Sequence, residues 1–219
     1  MTQSNVLDPL ASGLLPALLH RLANTTQLLS GLNSLALLGM GEDLWRERAS
    51  DVEAACEQAE ELGYLLAVVG SGGGADLLGT RRSPQGLRWT VGLLREGLRR
   101  RGLDLGPDPE PWPLLASAAP EGWRLPWAVA ELLWMASEGM APDAVLSWSL
   151  EPDGEAHRLL IRPDGASAPS KAWRAMLEER LAAASLEILE DTWRLIIPGD
   201  WLREAHPVDG AGEWGEATP

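Results

Sequence analysis

LLHRLANTTQLLSGLNSLALL, residues Leu18–Leu38, is the stretch whose reading decides the fold. From Leu15 onward Leu15, Leu18, Leu22, Thr25, Leu29, Leu32 and Ala36 alternate by three and four, the spacing of a heptad seam with a polar break at Thr25. Pro16 suits the start of this helix, where a missing N–H costs little. Gly39-Met40-Gly41 ends the pattern, and a second helix is expected from near Glu42 with acids in its first turn. Its seam is Val52, Ala55, Ala59, Leu62, Leu66 and Val69. Two seam-bearing helices joined by a short glycine turn predict an antiparallel hairpin over residues 10–70. A lone hairpin cannot cover both of its faces, so a four-helix bundle made with a second copy is expected.

With Leu15 at position a, His20 falls at f, away from the seam, and Gln27 and Ser34 share its face. Asn24 lies one turn on and beside it. An f-position histidine is exposed and is a competent nucleophile near neutral pH, because much of it is unprotonated. An ordinary surface histidine has the same placement. His157 is expected on a strand and His206 in the tail, and no Cys/His/Asp grouping has metal-ligand spacing.

Working outward, Gly70-Ser71-Gly72-Gly73-Gly74 reads as a helix stop and linker, since it lacks the Gly-Lys-Ser/Thr ending of a phosphate-binding loop. Residues 87–101 form a short amphipathic helix stopped by Gly102, and a Pro-rich stretch follows. A further helix is expected over Pro126–Met140; Trp127 and Trp134, seven apart on it, are expected to pack on a sheet. AVLSWSLEP and HRLLIRP flank Asp153-Gly154, a strong hairpin signal. A helix over 170–184 and a last hairpin, LEILE and TWRLIIP turning at Glu190-Asp191, complete residues 77–203. The Gly-rich stretch 204–219 is expected to be a disordered tail. The fold class is therefore α+β: helices over a small, largely antiparallel sheet.

The 219 residues are 45% hydrophobic and 23% charged, enough to bury a core. A net charge of −14 argues against nucleic acid or an anionic membrane as the main partner. Arg99, Arg100 and Arg101 cluster locally and read as a solvated helix end. A single cysteine, Cys56, rules out an intrachain disulfide. No basic n-region with a long apolar run opens the sequence and no membrane span is expected, so a cytoplasmic location is.

HRLANTTQLLSGLNSLALL resembles the phosphoacceptor helix of the dimerisation and histidine-phosphotransfer domain of sensor histidine kinases. The resemblance puts the phosphoryl-accepting role on His20 and a transfer or phosphatase role on Asn24, and it implies a homodimeric four-helix bundle. LPWAVAELLWMASEGMAP lies where the family's N-box helix stands, and LIRPDGASAP lies where its first Gly box follows a strand. The resemblance covers about residues 10–203 and implies a histidine-kinase-ATPase-like α/β sandwich in the second half.

The departures change the function it implies. The Mg2+-holding asparagine of the N-box falls on Met135, and a thioether is a poor ligand for a cation that demands oxygen. Pro163 stands for the adenine-reading aspartate and Ser167 for the second glycine of the Gly box, with Asp164 one place out of register. No second Gly box or long lid separates Pro169 from the next helix, and Arg21 follows His20 where kinases carry an acid. Lacking that apparatus, the second half is expected to be a degenerate, ATP-incompetent domain.

The expected function is a histidine phosphotransferase of a two-component phosphorelay. His20 would pass a phosphoryl group between aspartates of response-regulator receiver domains docked near Leu19, Ala23 and Leu28. No cofactor is expected beyond Mg2+ on the partner receiver. The alternative is a catalytically inactive, kinase-like dimeric scaffold that binds a response regulator or another signalling partner. A working kinase would need Mg-ATP binding.

Overall fold

The computed structural model describes residues 9–38, 41–71, 82–116, 120–163, 171–181, 184–189 and 192–204. The chain is α+β: a long N-terminal helical region followed by a mixed sheet. The helices are α1 (Pro9–Leu37), α2 (Glu42–Glu47), α3 (Ala49–Ser71), α4 (Gly86–Arg100), α5 (Leu125–Ala136) and α6 (Lys171–Arg180). The strands are β1 (Asp104–Leu105), β2 (Leu114–Leu115), β3 (Val145–Asp153), β4 (Ala156–Arg162), β5 (Ser185–Ile188), β6 (Trp193–Pro198) and β7 (Leu202–Arg203).

The first helix begins at Pro9, earlier than the leucine pattern suggests, so Pro16 sits inside it. Proline there removes the hydrogen bond to the carbonyl of Ser12. Both residues are exposed, so water can satisfy that carbonyl. The expected second helix is two helices, α2 and α3. The amides of Asp51 and Val52 donate to the carbonyl of Arg48, which starts a new ladder there.

The expected heptad seam divides. Leu18 and Thr25 are buried and Leu32 is half-buried, whereas Leu15, Leu22 and Leu29 are 42%, 39% and 47% exposed. The buried arc of α1 is rotated toward Leu10, Leu14 and Ala17, because α1 packs on α4 and α5 as well as on α3. The second seam splits likewise: Ala55 and Leu62 are buried, Ala59 and Leu66 are exposed. Thr25, the polar break, is satisfied by donating to the Arg21 carbonyl at 3.0 Å.

The amphipathic helix α4 ends as its sequence suggests. Gly102 takes φ +73°, its amide donates to the Arg99 carbonyl, and the Leu103 amide donates to the Leu98 carbonyl. This is a Schellman stop, which needs a residue free to enter the left-handed region. It leaves Arg99 and Arg100 in the last turn of α4, where cations are favoured.

The main sheet has the order β1-β3-β4-β6-β5, with β1 parallel to β3 and the other pairs antiparallel. The β3–β4 hairpin turns one residue later than Asp153-Gly154 suggests: Asp153 pairs with Ala156, and Gly154 has φ +63°. β5 and β6 pair as expected from Leu186↔Leu195 and Ile188↔Trp193, while Glu190 and Asp191 lie outside the described residues. Two pairings carry no sequence signal: β1 with β3, and β2 with β7 in a separate two-stranded sheet.

Helix α5 is shorter than expected, ending at Ala136, and is buried nearly all round. Trp127 is buried. Trp134, expected on the sheet, lies under α1 instead: a Cβ on Gly13 would sit 2.2 Å from its ring. One apolar cluster runs from Leu14 and Leu65 through Leu94 and Leu132 to Leu159 and Leu195, so residues 10–70 and 77–203 share it. The expected tail lies outside the described residues apart from Glu204, as does the glycine run after Ser71. Among the described residues no helix is long and apolar enough to cross a membrane.

Candidate functional site

His20 and Asn24 stand one turn apart on the outer face of α1, both exposed, with Asn24 Nδ2 3.3 Å from His20 Nε2. When the amide donates, the lone pair lies on Nε2 and the proton on Nδ1. His20 lies about 140° around the helix from Leu15 at 100° per residue. The face that packs inward, the exposed leucines and the histidine therefore occupy three different sides of α1.

The neighbour of His20 has a structural role. Arg21 reaches across to two helices: its Nη1 donates to Glu61 of α3, and its Nε and Nη2 donate to Glu96 Oε1 of α4 at 2.9 and 2.6 Å. Its side chain is 20% exposed. A guanidinium presents several donors in a rigid fork, so it can hold two carboxylates at once where a lysine would not. The cation next to His20 therefore ties α1, α3 and α4 together. Beside it, Arg21, Asn24, Gln58, Glu61 and Glu96 line a polar cleft of about 290 Å³.

On the other side, His20, Arg21, Asn24, Glu96, Arg99 and Arg100 line an open cavity of about 400 Å³. Asn24 thus borders both spaces. The arginine run, expected as a solvated helix end, divides three ways. Arg101 stacks over Trp134 at 4.5 Å and donates to Ser137 at 3.0 Å. Arg99 meets Asp104 through Nε at 3.4 Å. Arg100 makes no ion pair among the described residues and lines the His20 cavity with Arg99. The basic run in an acidic chain was a visible signal; its position against His20 was not.

Of the docking residues expected around His20, Leu19 is 54% exposed, Ala23 is exposed and Leu28 is half-buried. Met135 lines a mostly apolar space of about 390 Å³ with Leu10, Trp134, Trp173 and Met176, bordered by Glu131 and Glu138. Asp164 and Ser167 lie outside the described residues. Among the described residues no three His, Cys, Asp or Glu side chains gather to hold a metal ion.

His157 stands apart from this site on β4, paired across the sheet with Pro152 and Ile197. Burial holds its imidazole below the usual histidine range, partly offset by the charge of Glu204. Burial also pushes the Tyr64 hydroxyl well above its ordinary range, against the opposing hydrogen bond with Thr90.

No protein-family model matches this chain, and no curated protein matches it.

Proposed function

We propose that this chain is a histidine phosphotransfer protein that works without ATP, with His20 as the phosphoryl carrier. The observation that supports it most is the exposed His20–Asn24 pair at 3.3 Å on a helix braced by Arg21. The Asn24 amide swings off the Nε2 lone pair, and His20 Nε2 attacks the phosphorus of an aspartyl phosphate on a partner receiver domain. The N–P bond forms as the P–O bond to the aspartate breaks, and the carboxylate leaves with the electron pair. The attack leaves an imidazolium, which gives its Nδ1 proton to water and takes one back before the phosphoryl group leaves again. Reversal onto a second receiver's aspartate completes the relay. The partner supplies Mg2+, so this chain needs nucleophile, orientation and docking surface. Asn24 orients the imidazole or the arriving phosphoryl group.

In this reading two copies pair through Leu15, Leu22 and Leu29 of α1 and Leu66 of α3. All four are between 39% and 47% exposed in the single chain. Burying them makes a four-helix bundle and leaves the His20 face open. The second half lends the docking surface rather than nucleotide chemistry. Phosphorylated receivers mixed with the chain should place acid-labile, base-stable phosphate on it, and His20→Ala should receive none. Equal transfer to His20→Ala would sink the proposal.

The same exposed leucines favour a second reading, a dimeric scaffold that binds a receiver without accepting phosphate. That reading requires partner binding indifferent to His20→Ala together with no label on the wild-type chain.

A further inference from the structure

The cavity beside His20 has a chemical bias that the phosphotransfer reading does not use. Its wall holds three arginines against one carboxylate, in a chain whose net charge is −14. Arg21 donates twice to Glu96 Oε1, which ties up both charges, while the buried Glu96 Oε2 has no hydrogen-bond partner among the described residues. What remains lining the space beside the imidazole is Asn24, Arg100 (unpaired among the described residues) and Arg99, whose Nε stands 3.4 Å from Asp104. Both arginine side chains project from the last turn of α4, which the Schellman stop at Gly102 closes.

We infer that Arg99 and Arg100 form, with His20, an anion site for the phosphoryl group of a partner's phosphorylated carboxylate. The inference rests on the phosphotransfer reading for its biological ligand, and on the cavity for its existence. Guanidinium groups match phosphoryl oxygens in geometry and stay charged at any working pH. When the phosphoryl group moves to His20, the Mg2+ that neutralised it stays with the receiver. Two guanidinium groups at the cavity wall take over that neutralisation. They bind the oxygens as charge shifts from the receiver's site to the imidazole, and they release it again on the return transfer. Electrostatic donors placed where charge arrives are a large source of rate in such reactions.

The test uses the full chain with inorganic phosphate as the binding probe and phosphorylated receiver domains as the transfer probe. Imidazole resonances of His20 are followed by NMR as phosphate is added to wild type, Arg100→Lys, Arg100→Glu and an Arg99→Ala/Arg100→Ala double variant. Saturable movement is expected in wild type, weakened about tenfold or more in the double variant and in Arg100→Glu, and partly kept in Arg100→Lys. Transfer onto His20 should slow about 10- to 100-fold in the double variant, within the range seen when one transition-state donor is removed. Both side chains are exposed, and thermal melts of the variants matching wild type confirm that folding is intact. Wild-type His20 resonances that ignore phosphate, or a double variant that binds and transfers as wild type does, overturn the anion site. Arginine-dependent phosphate binding with no transfer from any receiver supports the anion site while the phosphotransfer reading falls. Transfer that ignores both arginines leaves that reading standing without this site.

Discussion

Arg21 of α1 donates twice to the same oxygen of Glu96 on α4, through Nε at 2.9 Å and Nη2 at 2.6 Å, while its third contact goes to Glu61 of α3. One cation therefore separates two carboxylates on different helices. Arg21→Ala leaves those two like charges facing one another in a partly enclosed cleft. It is expected to lower unfolding stability by about 2 kcal/mol, the scale of lost hydrogen bonds to charged groups. Arg21→Lys should recover only part, because an ammonium is a point charge without the fork. Urea unfolding of the two variants measures both.

Gly13 meets Trp134 where α1 crosses α5. A Cβ at Gly13 would lie 2.2 and 2.5 Å from two ring carbons of Trp134, and the ring is already stacked by Arg101. Gly13→Ala is expected to be destabilising by about 1–3 kcal/mol, as overpacking usually is. The same change in a Trp134→Leu background should cost clearly less than it does in wild type. Thermal melting of the four chains gives the cycle, and strict additivity would contradict the crowding.

The exposed leucines bear on assembly. Leu22→Glu and Leu29→Glu replace side chains that are 39% and 47% exposed in the single chain, so the fold should tolerate both. Sedimentation is expected to show a dimer for wild type and a monomer for the double variant, with far-UV circular dichroism nearly unchanged. A wild-type monomer at tens of micromolar would remove the four-helix bundle from the proposed function.

His157 supplies a pH dependence with a definite sign. Its folded-state pKa lies below the ordinary histidine value of 6.5, so the folded chain resists taking the proton that the unfolded chain accepts. The contribution to stability is full above the unfolded value. It is lost as pH falls below about 6.5, and levels off once the pH passes the lower folded-state value. His157→Gln cannot titrate there. The difference in urea midpoint between wild type and His157→Gln should therefore shift against wild type between pH 7.5 and pH 5.5. A constant difference would contradict the cause assigned to the shift.

Leucine and alanine spacing alone determined that Pro9–Leu37 and Ala49–Ser71 are largely helical, because a 3.6-residue repeat is a local property. The f position of His20 was readable in the same way, and so were the glycine stop after α4 and the β3–β4 turn near Asp153-Gly154. Which leucines lie inside was not. Leu15 and Leu18 belong to the same seam, yet only tertiary contact with α4 and α5 decides that Leu18 is buried and Leu15 is exposed. β1, β2 and β7 are two residues long, too short for an alternation to show, and their partners lie far along the chain. The site divides along the same line. Sequence placed an exposed histidine with an amide one turn away. Packing brought Glu61 and Glu96 to Arg21, and Arg99 and Arg100 to His20. No local pattern specifies which distant charge a side chain will meet; the crossing of α1 over α4 does.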